Sequence, residues 1–268
     1  MSLNFYSVSC MDQLENTAVT SEATGFEIEN AMDWNLNTYW KPTSTANQTI
    51  RFDLQSAFSL TGCGLWIHNY NTIHGPDGDP DLAVDYSDND VDWSSFMSAT
   101  GFISFEAGTY MNDGLLLVKG LPAASHQYWR FVFSDMATTI EISQFFLLGT
   151  HAITQNSNYP RMEPKTYANQ SSILRNRRRL ASAGNSTTVT SFNRTWRLFD
   201  SSIKDALEAA YDGSFGDLLP IIIEESAGAQ KLVYILSPTF NAIEREYEVW
   251  DLTLNFSDVP FVPDGSAF

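Results

Sequence analysis

The chain has 268 residues, room for two domains of ordinary size. Hydrophobic residues make up 43% and charged residues only 18%, a composition that excludes a disordered chain. With 32 acidic against 15 basic residues the net charge is −17, a field that repels nucleic acid, favours solubility and attracts divalent cations.

The opening stretch MSLNFYSVSCMDQLENT has no basic n-region and no apolar h-region, so no signal peptide is expected and synthesis in the cytoplasm is. The longest apolar runs, at 145–149 and 219–223, are far too short to span a bilayer, so no membrane span is expected. Two cysteines, Cys10 and Cys63, allow at most one bridge, and without an export signal both are expected as free, buried thiols.

Residues 1–152 read as strand, turn, strand. Ile50, Phe52 and Leu54 alternate with Arg51 and Asp53, the pattern of a half-buried strand. Residues 63–70, 128–135 and 140–149 read as further strands, with Gly, Asn, Asp and Pro clustered between them. Residues 153–190 are polar and lack an apolar period. They contain Pro160, Pro164 and a basic run, Arg175, Arg177, Arg178 and Arg179. Two readings stand for this run: a solvated linker, or an assembly arm that docks on an acidic surface, including that of a neighbouring copy. From 191 to 268 order returns. A strand over 192–199 leads to a helix through SIKDALEAAY, capped by Asp200, Ser201 or Ser202 and ending at Gly213. Ile203, Leu207 and Ala210 share its apolar face, and three strands with short turns follow. The fold class is therefore mainly β: an all-β domain, then a smaller α+β domain with one helix on an antiparallel sheet.

Within the first domain six segments fall in the order seen in discoidin, or coagulation factor type C, domains. AMDWNLNTYW places Ala31, Asp33, Thr38 and Trp40, with Trp34 where glycine is usual. TIRFDL (49–54), GLWIHNY (64–70), VDYSDNDVDW (84–93), QYWRFVF (127–133) and TIEISQFFLLG (139–149) follow. The segment resembles that galactose-binding-like family, which implies a jelly-roll sandwich with Trp40 and Trp129 between its sheets. In related carbohydrate-binding modules the first loop holds a structural calcium, and Asp33, Thr38 and Glu141 match the ligating positions, with Asn35 nearby. The residues alone leave open whether an ion or hydrogen bonds close that loop. Family members also bind sugar with loop-borne aromatics, and Trp66, His68, Tyr70, His74 and Trp93 are the candidates here. Trp66 and His68 alternate along one strand, which admits a shared open face or a place for Trp66 in the core.

The C-terminal half, through RTWRLFDSSIKDALEAAYDG, LPIIIEES, KLVYIL and YEVWDLTLNF, resembles proteins of the tail tip or baseplate of tailed bacteriophages. That resemblance implies a structural virion protein whose partners are other tail proteins and copies of itself. The sandwich would then touch cell-surface glycans. The alternative is a free-standing carbohydrate-binding protein with a partner-binding second domain.

No Walker A, G-x-S-x-G, H-E-x-x-H or C-x-x-C motif is present, and His68, His74, His126 and His151 lack metal-ligand spacing. His126 reads as a strand-end residue. Asp77, Asp79 and Asp81 begin like an EF-hand loop, but Leu82 takes the glycine position and Pro80 interrupts it, so a solvated turn is expected. A binding and assembly protein is expected, not an enzyme.

Overall fold

The computed structural model describes residues 3–7, 16–73, 80–101, 109–112, 114–153, 165–167, 188–214, 220–224, 230–237, 239–246 and 248–258. They form two compact units, one from residues 16–148 and the other from residues 3–7 with those from 149 onward. Strand β1 (Leu3–Ser7) thus belongs with the C-terminal half, where the sequence placed all of residues 1–152 in one domain. Its partners explain why. Tyr6 pairs with Ile222, and Phe5 enters a core with Trp196, Phe256 and the helix. Among the described residues no helix is long and apolar enough to cross a membrane.

The first unit is a sandwich of two antiparallel sheets. One has the order β2 (Asn16–Val19), β3 (Gln48–Leu60), β9 (Ala124–Ser134), β5 (Asp81–Ser87), β6 (Ser94–Ala99). The other runs β10 (Ile142–Ile153), β4 (Gly62–Ile67), β8 (Leu115–Val118), β7 (Thr109–Asn112). The alternation expected at 50–54 is present: Ile50, Phe52 and Leu54 are buried while Arg51 and Asp53 lie on the open face. Phe52 and Phe131 of one sheet meet Phe145 of the other at ring-centroid distances of 5.4 and 5.2 Å, edge to face. Trp40, fully buried, joins them, and its backbone exchanges two hydrogen bonds with Ile142. Its indole N–H donates to the Ser21 carbonyl at 3.2 Å. Gly64 is required by closeness, since a Cβ there would come within 2.7 Å of the Leu116 carbonyl oxygen.

The antiparallel registers define the two ends of this sandwich. At the basal end β3 begins and β4 and β9 finish, so the loops 20–47 and 135–141 and the segment after Ile67 gather there. At the apical end β5 finishes while β6 and β9 begin. A single helical turn, α1 (Tyr70–Ile73), follows β4 at the basal end.

The second unit is a sheet of order β11 (Lys165–Tyr167), β12 (Thr188–Phe199), β16 (Val249–Asp258), β14 (Gln230–Ile235), β13 (Ile221–Glu224), β1, then β10 from Gly149 on. A short strand, β15 (Ile243–Glu246), also pairs with β16. The stretch read as a linker therefore contributes β11 and the first residues of β12. Helix α2 (Ser201–Asp212) lies where the sequence placed it, and of the three candidate caps Asp200 is used, its side chain accepting from the Ile203 N–H. A hydrogen bond from the Ser202 hydroxyl, helped by that Ile203 bond, holds the Asp200 carboxyl below the ordinary range. Ile203, Leu207 and Ala210 are buried against Trp196, Phe199 and Leu252. Arg175, Arg177, Arg178 and Arg179 lie outside the described residues.

Candidate functional site

The basal end is built by a chain of local constraints. Gly25 takes a left-handed φ of +87°, turning the backbone so that Phe26 N–H reaches the Ala23 carbonyl. The same turn is pinned to the next segment by bonds between Ala23 and Lys41 and between Lys41 and Phe26. Phe26 is thereby set against Tyr39, ring centroids 4.9 Å apart and 25° from parallel. Tyr39 in turn stacks on His68 at 4.3 Å and 23°. His68 is placed by its N–H, which donates to the Glu141 carbonyl at 2.8 Å, and by Ser143. The Ser143 hydroxyl donates its one proton to the Leu36 carbonyl, so His68 Nδ1 at 3.3 Å must be the donor to Ser143. In the neutral ring Nε2 is then an acceptor. The result is a ladder of three half-buried rings across loops that lie far apart in sequence.

Beside it is the loop expected to hold calcium. The Thr38 hydroxyl lies 3.0 Å from an Asp33 carboxylate oxygen, 2.8 Å from the Asn35 carbonyl and 3.3 Å from the Asn30 carbonyl. These are hard oxygen donors in one place, the chemistry that suits calcium. Asp33, Thr38 and those two carbonyls would be the oxygens nearest such an ion. The other two expected ligands are engaged elsewhere: the Asn35 side chain accepts from Asn37, and the Glu141 carboxylate is paired with Lys41 at 2.7 Å. The Glu141 bond pushes the Lys41 ammonium above its ordinary range. No cluster of three or more His, Cys, Asp or Glu side chains suited to a metal occurs among the described residues, so any ion here would depend on main-chain oxygens.

Trp34 adopts φ +59°. A non-glycine residue costs about 1 kcal/mol or more in that region. Its N–H is satisfied by the buried Gln144 side chain at 3.2 Å, and its ring packs on Phe146. The unusual tryptophan is thus held by a partner on β10.

The expected sugar-binding residues do not gather. His68 and Tyr70 are basal and half-buried. Trp66 is 7% exposed and belongs to the core, so it offers no open face, a correction that follows from its pairing with Leu115 and Gln144 inside the sheet. Trp93 is at the apical end, its ring covered by the Arg130 guanidinium 4.5 Å from its centroid. His74 lies outside the described residues, as do Asp77 and Asp79. Phe26 and Tyr39 escaped the sequence reading because they sit in a loop with no period to mark them.

The aromatic ladder and the oxygen-rich loop beside it stand at one end of a β-sandwich of two antiparallel sheets. No family model matches the chain, and no curated protein matches it. Among solved structures it is similar to chitosan-binding module 1 of a chitosanase/glucanase from Paenibacillus sp. IK-5, with 16% identity over 52% of this chain and 98% of that one, TM-score 0.41. It is also similar to a CBM32 module of a family 31 glycoside hydrolase from Clostridium perfringens, at 21% identity over 51% and 92%, TM-score 0.40. A third is the CBM32 of AlyQ, solved with 4,5-unsaturated mannuronic acid, at 18% identity over 50% and 94%, TM-score 0.39.

Proposed function

We propose that the protein binds carbohydrate through the basal end of its sandwich and carries out no reaction there. The observation behind this reading is the Phe26–Tyr39–His68 ladder: stacked rings, half open, with polar groups of His68 and Tyr39 at their edges. Such a surface offers apolar area to a pyranose face and hydrogen-bonding atoms to its hydroxyls. Two carboxylates of that end are committed to structure, Asp33 to Thr38 and the Asn35 N–H, Glu141 to Lys41, and they hold loops in place. A calcium ion held by Asp33, Thr38 and the carbonyls of Asn30 and Asn35 would brace the segment that carries Tyr39.

The test is binding of the full-length protein to an array of neutral and acidic oligosaccharides. Phe26→Ala and His68→Ala should each weaken the bound signal about tenfold, the effect of losing one good contact. An empty array, or binding unchanged in the double variant, would sink the reading.

A second reading concerns the other unit and rests on the resemblance of segments within residues 191–268 to bacteriophage tail-tip and baseplate proteins. In it the unit joins a ring with copies of itself and other tail proteins in the virion, leaving the sandwich to meet host glycans. Light scattering across a concentration series should then give a discrete oligomer, reduced by changing Arg175, Arg177, Arg178 and Arg179 to Ser. A strict monomer at every concentration argues against it.

A further inference from the structure

The apical end of the sandwich carries a cluster that the basal site does not use. Tyr86 and His126 stack with centroids 3.9 Å apart and planes within 6° of parallel. They stand on a rigid base. Trp129, fully buried below, donates its indole N–H to the His126 carbonyl at 3.0 Å, and Phe96 packs edge-on against Trp129 at 5.0 Å. Asp88 Oδ1 lies 2.7 Å from His126 Nδ1. An ionised carboxylate only accepts, so Nδ1 carries the proton and Nε2 of the neutral ring is an acceptor.

Three polar atoms of this cluster make no bond within the described residues: His126 Nε2, Asp88 Oδ2 and Tyr86 Oη. His126 and Tyr86 are half-buried and Asp88 is exposed. The cations nearby are already committed, Arg130 to Asp85 and Arg51 to Asp90. What remains uncompensated in the adjoining loop is acidic, with Asp92 exposed beside Asp88.

We propose that Tyr86, Asp88 and His126 form a second saccharide subsite, which takes a neutral sugar through a pair of adjacent hydroxyls. One hydroxyl donates to Asp88 Oδ2 and its neighbour to His126 Nε2. The Tyr86 hydroxyl donates to a third sugar oxygen, and the open edge of the stack meets apolar C–H groups. The fixed Asp88–His126 bond means little side-chain freedom is lost on binding, the usual advantage of a preorganised site. Sulfated and uronic sugars are disfavoured by the acidic loop. This subsite does not depend on the basal reading.

The test is calorimetric titration of the full-length protein with lactose, cellobiose and N,N′-diacetylchitobiose. At least one should fill two sites per chain, one of which survives Phe26→Ala. That survivor should weaken about tenfold in Asp88→Ala and again in His126→Ala, as a lost hydrogen bond to a charged or well-placed group does. Asp88 is exposed and His126 half-buried, and an unchanged melting curve in each variant verifies the fold. A single site insensitive to Phe26→Ala and weakened by Asp88→Ala would uphold the apical subsite and remove the basal one. The proposal is overturned if a single site is lost in Phe26→Ala, if neither apical variant changes binding, or if none of the three sugars binds.

Discussion

Replacing Trp40 with alanine removes one of the largest fully buried side chains in the protein, from the place where the basal loops meet the two sheets. Its ring lies 6.5 Å from Phe133 and from Phe145, one on each sheet, so the cavity opens between layers that strands hold apart. Truncating a buried Trp costs about 3–5 kcal/mol, and leaving the Ser21 carbonyl without its donor adds about 1. The expected loss, about 4–6 kcal/mol, is comparable with the whole stability of a typical domain. At roughly 3 °C per kcal/mol for a unit of this size, the melting point should fall by more than 10 °C. Urea denaturation followed by circular dichroism is the assay, with the sandwich expected to unfold about 2 M earlier. Trp40→Phe keeps a ring in the gap and should lose no more than about half as much. A loss below about 1 kcal/mol for Trp40→Ala would refute the reasoning, because no intersheet core could absorb that cavity so cheaply.

Three other expectations are open to direct measurement. Thr38→Val keeps the shape but removes the hydroxyl that shares its one proton among the Asp33 carboxylate and the Asn30 and Asn35 carbonyls, and should cost about 1–2 kcal/mol. If the cluster takes calcium, millimolar calcium should raise the melting point of the parent protein and not of Thr38→Val; equal response in both removes the ion from this loop. Burial pushes the Cys63 thiol up to about 12, so in a Cys10→Ser background it should resist iodoacetamide at pH 8 until urea unfolds the protein, and rapid native labelling would contradict its placement. The raised Lys41 value gives a stabilising contribution that is complete below about 10.5 and is lost as pH rises through the higher folded value. Lys41→Met should therefore be less stable at neutral pH and show a shallower alkaline decline; identical alkaline slopes would mean the Glu141 pair contributes nothing.

Much of the architecture could be read from the chain because its strands bury one face and so alternate. The segments at 49–54 and 127–133 came through in this way, and Trp40 and Trp129, which the resemblance placed inside the sandwich, are both buried. Helix α2 was legible in its extent and apolar face, ending at Gly213, while its cap was narrowed only to Asp200, Ser201 or Ser202. Gly213 is there for close approach, as a Cβ would fall 2.6 Å from Ser7 Cβ. The site was harder. His68 could be named because it continues a strand, but Phe26 and Tyr39 meet it only through the Gly25 turn and the bonds to Lys41. His126, read as a strand end, gains its partners from Tyr86 and Asp88 on another strand and its loop. Tertiary pairing of this kind has no local period to announce it, and the same holds for β15 and for the partner of β1.

The place of β1 bears on how the protein comes off the ribosome. Its residues leave the ribosome well before their partners, since Asn4 pairs with Glu224 and Tyr6 with Ile222. At about 5–20 residues per second, this strand waits on the order of 10–40 s with an unpaired edge while the sandwich has time to fold. Closing such a distant pairing is slow, and an exposed strand edge invites association with other chains in the interval. The second unit is thus the late and vulnerable step. Expression from slowly translated messages, or at high temperature, should deplete it first. A fragment beginning at residue 149 would lack the strand that β13 needs.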